Sequence, residues 1–154
     1  MPDPAALMPD PPPGLGPTVR AAAWSAERVT ACGVAGDAAN ACLLLWHDRL
    51  DEAHALVQRH EGERDCDVLH AILHRREPDA GNARYWWRRA GGHPLAAELA
   101  PEALRLGLGR LVRGGRLDPG LMVEACIAPG EDPAALVALQ ACELRLLAAR
   151  LLAP

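Results

Sequence analysis

The sequence predicts an all-α protein, a single irregular bundle of six or seven short helices with a disordered proline-rich N-terminal leader. Three observations carry that expectation. Half of the residues are hydrophobic, but Ala and Leu supply most of them; Phe is absent, and Ile and Thr occur twice each. So few β-branched and aromatic residues disfavour a sheet, while Ala, Leu, Arg and Glu favour helix. Capping and breaking residues recur at short intervals, which divides the chain into short helices. A length of 154 residues suffices for one domain with its own core and falls short of two.

Residues 1–17 carry seven prolines and no apolar period, and are expected to form the disordered leader. The single helical domain is then 18–154. Asp37 caps a helix expected from about Ala38 through Leu43, Trp46, Leu50 and Val57 to about His60. A second runs from about Asp65 to Arg76 and stops before Pro78, which disfavours helical geometry in the residue ahead of it. Asp79 or Asn82 caps a third that ends at Gly91 and Gly92. Pro101 opens a fourth, closed by Gly114 and Gly115. Asp118-Pro119 starts a short helix through Cys126, and Asp132-Pro133 starts the last, to about Leu152.

Composition removes several classes. The net charge of −4 opposes nucleic-acid binding, which needs a positive footprint to neutralise phosphates. No apolar run is long enough to cross a bilayer, and the N-terminus lacks the basic start and apolar stretch of a signal peptide, so the cytoplasm is the expected compartment. Five cysteines without a C-x-x-C form neither a disulfide framework nor a zinc finger. All sixteen basic residues are Arg, and with the Ala, Gly and Pro excess this points to GC-rich coding, as in a high-GC bacterium. No nucleophile motif, phosphate loop or dinucleotide fingerprint is present.

Residues 46 to 93 hold all six histidines and all but one of the five aromatics. On the second helix Cys66, His70, His74 and Glu77 fall within an arc of roughly 80°. A pair of histidines one turn apart is a common way to offer a metal two imidazoles. From the pattern alone, the solvated side of an amphipathic helix is the favoured reading of the same arc. His54 lies beside the apolar stripe, with Asp51 one turn before it to fix its tautomer, and His47 stands seven residues earlier. Glu143 shares the arc of Leu136, Leu139 and Leu147, so its carboxylate is expected to be buried. It must then be paired, protonated or metal-bound, and a structural ion pair with an arginine is as good a reading as a site role. Arg75, Arg76, Arg84, Arg88 and Arg89 crowd around Tyr85, Trp86 and Trp87, a combination suited to an anionic, planar or phosphorylated ligand or to an interface.

The strings LWHDRLDEAHALVQ and HAILHRREPDAGNARYWWRRAGGHP are similar to the pattern of a bacterial and fungal family of small helical proteins of uncharacterised function. A stretch around LMVEAC and Q-x-x-E-x-x-L-L resembles that family's C-terminal part, so the likeness covers roughly 38 to 152. It places His54, His70, His74, Arg75, Arg76, Glu77, Asp79, Asn82, Tyr85, Trp86, His93 and Glu143 on motif positions. Val68 and Leu69 stand where that family has aromatics, a change that would reshape any pocket. The resemblance implies no particular reaction.

The expectation is therefore a small helical enzyme acting on a small anionic metabolite by histidine acid–base or metal-assisted chemistry. His54, His70 and His74 would be the metal ligands, taking one divalent Zn²⁺, Fe²⁺ or Mn²⁺. His54, His74, Glu77 and Glu143 are the candidate catalytic groups. Arg75, Arg76, Asn82, Tyr85, Trp86, Arg88 and His93 are the candidate ligand-binding groups. The alternative is a helical ligand-binding or protein-interaction module that uses the Arg/Trp segment 75–89 and performs no chemistry.

Overall fold

A computed structural model describes residues 3–130 and 132–153. Among them the protein is all-helical apart from one two-residue hairpin, Val112–Arg113 paired with Arg116–Leu117. Nine α-helices follow in order: α1 Pro4–Leu7, α2 Ala26–Ala31, α3 Asp37–Trp46, α4 Leu50–Val57, α5 Arg64–Arg76, α6 Ala80–Ala90, α7 Leu95–Arg105, α8 Pro119–Ile127 and α9 Pro133–Leu151. The count exceeds the expected six or seven because two short helices precede Asp37 and because one expected helix is two. Among the described residues no helix is long and apolar enough to cross a membrane.

The capping signals place most boundaries. Asp79 accepts from the Asn82 N–H, Asp118 from Gly120 and Leu121, and Asp132 from Ala135, so each holds the free donors of a first turn. α5 ends at Arg76, two residues before Pro78, and the Asp79 N–H returns to the His74 carbonyl at 2.8 Å. The segment expected as one helix from Ala38 to His60 is instead broken between Trp46 and Leu50. Asp48 takes φ of 61°, its N–H donates to Leu45 O, and the Arg49 N–H reaches back to Leu44 O at 2.8 Å. That is a Schellman closure with Asp in the left-handed position that glycine usually fills, and Asp tolerates it better than most side chains. His47 and His54 therefore do not share a helix. Pro101 lies inside α7, which begins at Leu95; the region closed by Gly114 and Gly115 is the hairpin turn rather than a helix end.

The N-terminal segment expected as a disordered leader is packed over its described part. Leu7 and Met8 are buried in the core. The Trp46 Nε1–H donates to Pro9 O, Gln140 Nε2 to Gly14 O, and the Arg76 guanidinium to Gly16 O. His47 Nε2 lies 2.9 Å from Leu7 O while its Nδ1 accepts the Trp24 N–H, and the two rings stack 4.4 Å apart. Prolines suit such a strap, since they lose little conformational freedom and ask for no backbone donor partner. Its carbonyls find donors from α3, α5 and α9.

Two buried ion pairs orient α5. Arg75 meets Glu143 of α9 at 2.5 Å, with both side chains fully buried, and adds Gln140 Oε1 at 3.2 Å. Arg76 meets Asp48 at 2.6 Å and Leu45 O at 2.5 Å, again with both charged side chains inaccessible. Arg20 closes the second pair from outside at 2.7 Å. Glu143→Ala would strand the Arg75 charge, and its unfolding in urea is expected to show a loss of about 3–5 kcal/mol. The double replacement Arg75→Met with Glu143→Leu removes both charges and should recover most of that loss. A single variant no weaker than a surface substitution would mean that the pair does not anchor α5.

Candidate functional site

His70 and His74 lie one turn apart on α5, and α4 brings His54 against them. The three imidazole rings have centroids 4.8, 5.2 and 5.0 Å apart, and each offers a nitrogen within 4.8 Å of the others. His70 and His74 are buried and His54 is half-buried, so the cluster opens towards solvent on the α4 side. The arrangement follows from the ion pairs. At about 100° per residue, seating Arg75 against α9 and Arg76 against Asp48 turns His70 and His74 to another side of α5.

Each ring has a different environment. His74 Nδ1 sits 2.8 Å from a Glu77 carboxylate oxygen, three residues on at the helix end. A carboxylate there holds the ring orientation and favours the tautomer whose Nε2 carries the lone pair. His70 is stacked on the Trp86 indole of α6, 3.8 Å between centroids and 14° from parallel. Its Nδ1 is buried and has no hydrogen-bond partner among the described residues. Burial, helped by the neighbouring His74 and His54, pushes the His70 pKa down to about 3, so its ring is neutral at cellular pH. His54 carries no hydrogen bond to Asp51, the carboxylate expected to fix it; the cluster itself is its neighbour.

Of the expected site residues, the structure brings together His54, His70, His74, Glu77 and Trp86, with Tyr85 edge-on to Trp86 at 5.1 Å. It does not bring Arg75, Arg76 or Glu143 there. All three are spent in the buried ion pairs, so Glu143 takes the structural reading of its burial. Asn82 donates to Asp79 at the start of α6. His93 is buried with Nε2 2.7 Å from Asp65 and Nδ1 accepting the Leu95 N–H, which ties α5 to the start of α7. Arg88 lines a separate cleft of about 410 Å³ with Arg84, Trp87 and the first residues of α8. Cys66 is buried, and burial with nearby Glu63, Asp65 and Asp67 raises its thiol pKa to about 11, so it stays protonated. Sequence reasoning gave no role to Asp48, whose partner Arg76 is 28 residues away with no local signal of the pairing. It also left Arg89 in the general arginine cluster, although this guanidinium lies over Trp86 at 5.3 Å.

If Trp86 is the cover that keeps His70 neutral, removing it must restore an ordinary titration. In the metal-free protein the His70 ring protons are expected to shift little between pH 8 and pH 5 by NMR, whereas in Trp86→Ala the titration should move up towards about 6.5. A His70 that titrates near 6.5 in the unsubstituted protein would contradict the burial described here. Comparison with protein-family models, curated proteins and solved structures returned no match.

Proposed function

We propose that this protein is a small metal-dependent enzyme whose centre is a divalent ion held by His54, His70 and His74, with a small anionic molecule as substrate. The observation that carries the reading is the convergence of three imidazoles from two helices, one of them with a buried, unpartnered nitrogen. Three mutually close histidines repel when protonated, and a buried polar atom without a partner is costly. A cation shared by three lone pairs relieves the first, and relieves the second if Nδ1 is the nitrogen that His70 offers. Zn²⁺ is favoured, because three neutral nitrogens with one open position is the ligation of catalytic zinc, and Fe²⁺ or Mn²⁺ would accept it less well without a carboxylate.

Such an ion would supply Lewis acidity and a bound water of lowered pKa. The protein's own groups do the rest. Glu77 fixes His74 from behind, Trp86 holds His70 flat, and both keep the rings from turning away. His54, being half-buried, leaves the side on which substrate and water reach the centre. The alternative of an interaction surface over 75–89 has less support, since Arg75, Arg76, Trp86 and Trp87 of that segment are buried.

Untagged protein should contain about one equivalent of metal by elemental analysis, as a folded three-ligand site retains its ion through purification. His54→Ala and the pair His70→Ala/His74→Ala should lose it, with circular dichroism showing the fold retained in the exposed-side variant. Absence of metal from the native protein, even after incubation with Zn²⁺, overturns the reading. Glu77→Ala, which leaves all three ligands in place, is expected to weaken zinc about 10–100-fold in a chelator competition.

A further inference from the structure

α6 presents two different sides. Arg84, Trp87 and Arg88 face the cleft at the start of α8. Tyr85, Trp86 and Arg89 fall within an arc of roughly 100° on the other side, against the histidines. Trp86 is the wall shared by both halves of that side. His70 stacks on it at 3.8 Å, while the Arg89 Cζ lies 5.3 Å from its centroid and 5.8 Å from that of Tyr85. Tyr85 is 42% exposed, one of three large apolar side chains left open to solvent among the described residues.

We propose that Arg89 and Tyr85 form the substrate-recognition subsite of the metal centre, and that the molecule recognised is a carboxylate attached to a planar ring. This rests on the metal-site reading above. The Arg89 guanidinium is held in place rather than left to wander. Its Nη1 donates to the Tyr85 hydroxyl at 3.1 Å, and two aromatic rings flank it. Gly62, with φ of +94°, leaves only backbone beneath Nη2; a side-chain carbon there would stand 3.9 Å from it. Among the described residues no carboxylate lies within ion-pair distance of Arg89, although Asp67 and Glu61 are near enough to help raise its pKa behind the larger effect of the Tyr85 hydroxyl. An exposed guanidinium steadied by Tyr85 and with no ion pair of its own can bind a carboxylate through two parallel hydrogen bonds.

The choice of a carboxylate over a phosphate follows from charge. One guanidinium matches one negative charge, and the helix N-terminus that would help hold a dianion lies at the far end of α6, where Asp79 already fills it. The choice of a planar ring follows from Tyr85, whose open face can stack on it at little entropic cost because the phenol is pinned by Arg89. The link to the histidines is Trp86, on which His70 stacks and over which Arg89 lies.

The test titrates zinc-loaded and metal-free protein with benzoate, following tryptophan fluorescence, with cyclohexanecarboxylate and benzylamine as the ring and charge controls. Benzoate is expected to bind better than either control. Losing a charge-assisted, bidentate contact in Arg89→Ala should weaken it about tenfold or more, Arg89→Lys should recover only part, and Tyr85→Ala should abolish the preference for the aromatic acid. Zinc content should be unchanged in all three variants. Benzoate affinity that is absent, or the same in Arg89→Ala, overturns the subsite. Arg89-dependent binding of benzoate to a protein that takes up no zinc would instead overturn the metal reading and leave the recognition surface standing.

Discussion

The orientation of α5 depends on charge burial. Arg75 and Arg76 are adjacent, fully inaccessible and committed to different partners, Glu143 on α9 and Asp48 at the end of α3. Removing a guanidinium from water costs several kcal/mol unless a carboxylate and further acceptors meet it. α5 can therefore take only the rotation and depth at which both pairs close, with Leu45 O, Gly16 O and Gln140 completing the shells. An all-aliphatic helix of the same length would have many nearly equivalent seats in an Ala/Leu core. The two pairs leave one.

That seat determines what the histidines can be. Cys66, His70 and His74 lie on a side of α5 that the apolar pattern alone would have left to solvent. With α4 and α6 packed alongside, His70 and His74 are enclosed, and Trp86 lies flat on one of them. Enclosure keeps His70 neutral, and Glu77 at the helix end orients His74. A neutral His70, an oriented His74 and a half-buried His54, a few ångströms apart, would give the proposed metal centre a frame set before any ligand arrives.

The N-terminal strap belongs to the same scheme. Residues 3–17 carry backbone carbonyls that need donors, and α3, α5 and α9 present Trp46, Arg76 and Gln140 to them. Arg20 adds its guanidinium to Asp48 and to the carbonyls of Pro11 and Trp46. The Asp48 carboxylate thus joins the strap, the α3–α4 turn and the helix that carries His70 and His74. Its left-handed backbone puts that carboxylate where two arginines can reach it.

The sequence by itself determined the helical class, the caps at Asp79, Asp118 and Asp132, the end of α5 before Pro78, and the region in which histidines and aromatics meet. These are local properties: propensity, a side chain bonding its own next turn, and a proline's fixed ring. It also marked His54, His70, His74, Glu77 and Trp86, since a shared helical face and a dense motif are visible along one dimension. Tertiary structure decided the rest. The break at Asp48, the packed strap and the commitment of Arg75 and Arg76 to buried pairs depend on partners 28 to 126 residues away. Whether Arg75 bound a ligand or Glu143 could not be read from its neighbours, because a buried charge is settled by what lies opposite it. Only the folded chain puts Glu143 there, and in doing so it turns Arg75 inward and leaves Arg89 facing out.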